Sequence, residues 1–100
     1  MANVYELKHS KRKDKKFTVT HDGKSVSFGA KGYSDYTLHK DHARMLRYNE
    51  RHKSRENWND LTKAGAWAKY ILWNKPSLND SIRDMEKRFN IKIVYKKPSK

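Results

Sequence analysis

The chain contains no cysteine, which excludes a disulfide scaffold and a thiolate zinc site and removes any argument for an oxidising compartment. An intracellular setting is therefore the default expectation. No stretch approaches the roughly 20 apolar residues of a membrane span, and Met1 to Ser10 lacks the apolar run of a signal peptide, so neither embedding in a bilayer nor export by that route is expected. Leu, Ile and Val are sparse. Acidic residues are scarce as well: 11 Asp and Glu stand against 24 Lys and Arg, a formal charge of +13. Such an excess sets up a positive field that draws in nucleic acid, an anionic membrane or an acidic protein, without choosing among them.

What is present is one domain's worth of chain, 100 residues, with a correspondingly compact core. Three Trp, six Tyr and three Phe bury roughly 150–250 Å² each and can build that core from few positions. Val4-Tyr5-Glu6-Leu7 alternates like a short strand. Residues 8–16 are so densely basic that they read as a loop or arm. Phe17-Thr18-Val19-Thr20 and Ser25-Val26-Ser27-Phe28 are period-two runs, and Asp22-Gly23 between them is a strong hairpin signal, since Gly accepts the positive φ the turn requires. Residues 33–37 have no clear period and read as a structured loop.

Three helices follow. The first runs from near Asp41 to about His52, with Met45, Leu46 and Tyr48 as its apolar positions. Thr62 is the expected cap of the second, approximately Lys63 to Asn74. Ala64, Trp67 and Ile71 line one face of that helix and Ala66, Tyr70 and Trp73 a neighbouring one, so it is either central to the core or half committed to a partner. The third opens with a capping-box-like Ser77 and Asp80, presents Leu78, Ile82, Met85 and Phe89 on one stripe, and closes at Asn90. Ile91 to Tyr95 reads as a final strand before a basic tail, 96–100. The expected fold is α+β: a small antiparallel sheet, made of the N-terminal hairpin plus the C-terminal strand, packed against about three helices.

Arg44, Arg47, Arg51 and Arg55 recur at spacings of three and four and share a helix face. The guanidinium fork grips phosphate oxygens bidentately, which makes this stripe the leading nucleic-acid-binding candidate, joined by Lys11, Arg12 and Lys13; a solvated face is the plain alternative. Contact with about six phosphates would give a log–log salt slope near −5. Tyr33, Tyr36 or Trp73 could stack on exposed bases or simply belong to the core. Trp67, Tyr70 and Trp73 are the candidate partner interface. His39, His42 and His52 lack the cysteine or carboxylate cluster of a metal centre, and Ser34 beside Asp35 lacks a nucleophile elbow or partnered base. No catalytic residue, metal or cofactor is assigned.

The ordered string Phe28-Gly29, Gly32-Tyr33-Ser34-Asp35-Tyr36-Thr37, His39-Lys40-Asp41, Arg47-Tyr48, Arg51-His52 and Glu56-Asn57-Trp58 continues through Thr62, Ala64-Gly65 with Trp67, Leu72-Trp73-Asn74-Lys75-Pro76, Ser81-Ile82-Arg83-Asp84 and Lys87-Arg88-Phe89. This string resembles an uncharacterised family of small basic proteins encoded by nucleocytoplasmic large DNA viruses, the giant viruses. The likeness runs from Phe28 to Ile93 and departs from the family pattern at Ala66 and Tyr70. It implies a viral setting, in the virion or the host-cell virus factory, and supplies no activity. Two functions are compatible with all of this. One is a non-enzymatic protein that binds nucleic acid through phosphates without base specificity, coating or packaging a genome. The other is a minor capsid or cement-type structural protein that binds acidic virion proteins.

Overall fold

The structure, a computed structural model, describes residues 3–96; the expected basic tail lies outside them apart from Lys96. Three strands open the chain as a meander: β1 (Asn3–His9), β2 (Lys15–His21) and β3 (Lys24–Ala30). Asp22 and Gly23 both take positive φ, 52° and 77°, the mirror-image turn whose twist matches the strands it joins. The pairing then runs outward from His21↔Lys24 to Lys15↔Ala30. Because the strands continue this far, both ends of the basic segment 8–16 belong to the sheet, and residues 10–14 between them form the connecting loop.

Helices fill the crossover to the last strand. A single turn, α1 (Tyr36–His39), is capped by the Asp35 carboxylate, which accepts from the Thr37 backbone N–H. Asp41 caps α2 (His42–His52) through the Arg44 N–H. A short α3 (Ala64–Trp67) runs directly into a π-helical segment (Ala68–Leu72), where the Trp73 N–H reaches back to the Ala68 carbonyl at 3.2 Å. Thr62, expected as the cap of this helix, instead bonds Asp60 through both its N–H and its hydroxyl. Lys63 occupies the cap position with no side-chain hydrogen bond. The Asx turn of Asp60 has claimed the threonine one residue too early for it to cap. Ser77 caps α4 (Leu78–Phe89) as expected, and Asn90, in the left-handed region, closes it.

The chain then enters β4 (Ile91–Lys96), which completes a four-stranded sheet of order β3-β2-β1-β4. The fold is α+β as expected, but the sheet is mixed, since β4 runs parallel to β1 from Asn3↔Ile91 to Lys8↔Lys96. The reason is the crossover: a parallel neighbour needs a long connection, the helices supply it, and the αL turn at Asn90 leads α4 straight into the strand. One sheet face, with Leu7, Phe17, Val19, Phe28, Ile91 and Ile93, buries against Trp67, Tyr70, Ile71, Leu72, Ile82 and Met85. The opposite face carries Thr18–Ser27 and Thr20–Ser25 hydroxyl pairs at 2.9 and 3.2 Å. Among the described residues no helix is long and apolar enough to cross a membrane.

A basic cleft as the candidate nucleic-acid interface

The open end of the β2–β3 hairpin, the loop after β3 and helix α2 enclose a cleft of about 400 Å³. Lys15 and Lys16 enter it from β2, Tyr33 and Asp35 from the loop, and Arg44, Tyr48 and Arg51 from α2; Leu72 and Trp73 line it from the π-helical segment and its end. Two local features shape this wall. Gly29 has φ +79°, and a Cβ built on it would lie 2.7 Å from Leu72 Cδ1, so only glycine lets the strand approach the π-helical segment this closely. That segment is itself a widened turn, of the kind that recurs at functional sites.

Helix α2 is held in place from one side. Tyr48 stacks on the Trp73 indole with ring centroids 4.1 Å apart and planes 3° from parallel, and His52 stacks at 4.1 Å from the Tyr48 ring. The Asn49 amide donates to the Trp73 carbonyl at 3.2 Å, and Lys40 Nζ donates to the Pro76 carbonyl at 2.6 Å. With α2 so anchored, Arg44 and Arg51, two turns apart, line the cleft together. Burial, reinforced by the Glu56 carboxylate and opposed by Arg51, pushes the Tyr48 phenol up to about 12. It therefore lines the cleft as a neutral group at physiological pH.

The electrostatics are one-sided. Asp35, the sole acid on the cleft wall among the described residues, is 2 % exposed. Its carboxylate accepts from Lys16 Nζ, from the Thr37 N–H and from the Thr37 hydroxyl, so its charge is matched within the protein. Among the described residues Lys15, Arg44 and Arg51 form no ion pair. Three uncompensated cations from two elements thus share one concavity with aromatic surface, a composition that suits a phosphate backbone.

The expected site residues divide. Arg44 and Arg51 line the cleft, whereas Arg47 does not, and Arg55 lies beyond the end of α2, beside Glu56 and Lys63. Lys11, Arg12 and Lys13 are exposed in the β1–β2 loop, with Arg12 paired to Asp14 at 3.3 Å. Of the expected partner interface, Trp67 is 0 % exposed and Tyr70 is buried, so both belong to the core, whereas Trp73 is half-buried with one ring face under Tyr48. The sheet and α4 sandwich α3 and the π-helical segment, and this is why the expected helix over 63–74 is apolar around most of its circumference. Lys15 and Lys16 were hidden in the basic run, although extending the Asp22-Gly23 hairpin register outward from His21↔Lys24 would have placed both on a strand. Of the histidines, His39 accepts from the Asp41 N–H at 2.8 Å, His42 is exposed, and His52 lies 3.6 Å from Glu56. Among the described residues no three His, Asp or Glu side chains gather as metal ligands.

No curated protein and no solved structure matches the chain. Residues 5–52, just under half of the chain, are similar to a family described as a family of unknown function (DUF5754), and this stretch spans β1 to α2, including every charged residue of the cleft.

Proposed function

We propose that this protein binds nucleic acid, without catalysis and without base specificity, by seating the phosphate backbone in the cleft formed by Lys15, Arg44 and Arg51. The observation that carries the reading is the convergence of these three unpaired cations on a cleft whose single acid is already neutralised by Lys16. A protein that merely needed a soluble surface would have its charges dispersed and matched, as Arg83 with Asp80 and Arg88 with Asp84 are on α4. Set beside the resemblance to small basic proteins of large DNA viruses, this makes genome coating or packaging the proposed role, in the virion or the virus factory. The alternative of a minor capsid or cement component drew its support from surplus apolar surface on the second helix. Of that surface, Trp67 and Tyr70 are buried within the chain itself and Trp73 is half-buried.

The test is fluorescence anisotropy with a random-sequence DNA duplex across a salt series. Each lost phosphate contact lowers the log–log slope by about 0.9, so Arg44→Ala with Arg51→Ala is expected to reduce it by about 1.8 on any sequence. Arg47→Ala with Arg55→Ala removes the same formal charge from outside the cleft and is expected to cost less than half as much. Equal losses for the two pairs would reject the cleft as the site. Binding that disappears well below physiological salt, on the duplex and on a single strand of the same sequence alike, would reject nucleic acid as the partner.

A further inference from the structure

We infer that the cleft takes single-stranded nucleic acid, with Tyr33 as the platform on which one base stacks. The inference rests on the phosphate-binding reading above and goes beyond it by naming the form of the strand. Four aromatic side chains, Tyr33, Tyr36, Tyr48 and Trp73, lie on or next to the segments that line the cleft, and the structure leaves one of them available. Tyr36 is buried, and Trp73 has a face covered by Tyr48. Tyr48 is itself sandwiched between Trp73 and His52. Tyr33 is 75 % exposed at the rim of the cleft, it takes part in no ring pair among the described residues, and its backbone is tied down by a hydrogen bond to the Ala30 carbonyl at 3.2 Å.

A single exposed aromatic is ordinary on a protein surface, so it is the position of Tyr33, more than its exposure, that carries the inference. Here the ring stands beside Lys15, Arg44 and Arg51, the combination of cationic groove and stacking platform that serves strands whose bases are accessible. The size of the cleft agrees: about 400 Å³ falls in the range of pockets that enclose a small-molecule-sized group, such as one nucleotide. A duplex keeps its bases stacked on one another and can offer this cleft only its phosphates, so Tyr33 has nothing to grip there.

The experiment compares wild type, Tyr33→Ala, Tyr33→Phe and the Arg44→Ala/Arg51→Ala pair on oligo(dT), on oligo(U), on an abasic strand of equal length and on a duplex. Tyr33→Ala is expected to weaken binding to at least one of the two base-bearing strands about tenfold, with changes under about twofold on the abasic strand and the duplex. Tyr33→Phe should restore the loss, because the π face and not the hydroxyl is used. Since Tyr33 is exposed, its substitution leaves the core intact, and circular dichroism of each variant verifies this. If Tyr33→Ala costs nothing on either base-bearing strand, or costs the same on all four ligands, while the arginine pair still weakens binding, the stacking inference is overturned and the phosphate reading survives. If the arginine pair also has no effect, both are overturned.

Discussion

Replacing Gly29 by Ala tests whether the cleft wall is built as described, because two separable costs meet at this position. The first is conformational: at φ +79° a β-carbon crowds its own backbone, at about 1–2 kcal/mol. The second is steric: the added carbon would lie 2.7 Å from Leu72 Cδ1 and 3.1 Å from Lys16 Cβ, inside the roughly 3.5–4.0 Å of a relaxed carbon contact. Leu72 is 2 % exposed and has little room to yield, so overpacking adds about 1–3 kcal/mol. Gly32 supplies the control. Its φ is +92° and a β-carbon there would meet nothing within 4 Å, so Gly32→Ala is expected to cost the conformational amount alone. Urea unfolding followed by tryptophan fluorescence should place Gly29→Ala about 1–3 kcal/mol below Gly32→Ala, and each kcal/mol lowers Tm by roughly 4–8 °C in a domain of this size. In a Leu72→Ala background the Leu72 clash should vanish and only the milder Lys16 contact remain, bringing Gly29→Ala closer to Gly32→Ala. If the two glycine variants agree to within about 0.5 kcal/mol in the unmodified chain, the close approach of β3 to the π-helical segment is not what holds the wall.

Two further expectations concern the core and the cleft. Trp67→Ala empties the centre of the core and leaves the Leu61 carbonyl without the indole N–H that bonds it at 2.9 Å; a loss of about 3–5 kcal/mol is expected, a large part of the roughly 5–15 kcal/mol available to a small domain, and a melting curve that moves by only a few degrees would contradict it. Tyr48 has its phenol pushed from 10.0 to about 12 by burial, so between these values the unfolded chain has lost a proton that the folded chain keeps, and the stability present below pH 10 is lost as the pH rises towards 12. Tyr48→Phe should flatten that part of the stability profile measured by denaturant titration, and an unchanged alkaline slope would show that Tyr48 is not the group responsible.

The parts of this fold that were legible in the sequence are those fixed by neighbours in the chain. Asp22-Gly23 sets its turn by the φ its own residues tolerate, and Ser77 and Asn90 mark the ends of α4 by bonds to backbone within a turn. The parts that were not legible depend on residues far apart. The direction of β4 is decided by the path of the crossover, of which Ile91 to Tyr95 carries no trace. Thr62 looked like a cap because nothing in a helix pattern reveals that Asp60 has already taken its hydroxyl. The arginine stripe was half legible for a similar reason: spacing put Arg44, Arg47 and Arg51 on one side of a helix, but only the docking of Tyr48 and Asn49 on Trp73 decides which of them line the cleft.

The same distinction bounds how much of the +13 charge can act at one place. Asp35 caps α1 through its carboxylate, and burying that group to 2 % exposure is costly unless a cation and hydrogen-bond donors accompany it. Lys16 is therefore committed to the fold, and in meeting that need it also removes the one negative charge that would repel a phosphate from the cleft. Lys15, Arg44 and Arg51 are left for the ligand. Three contacts at about 0.9 each give a duplex salt slope of about 2.7 in magnitude from the cleft, whereas charge considered without position suggested about 5. A measured slope near the lower figure would mean that the cleft is the whole interface. A slope near the higher one would require about two or three more phosphates held elsewhere, by exposed cations outside the cleft such as Lys11 and Lys13 of the β1–β2 loop or Arg47 of α2.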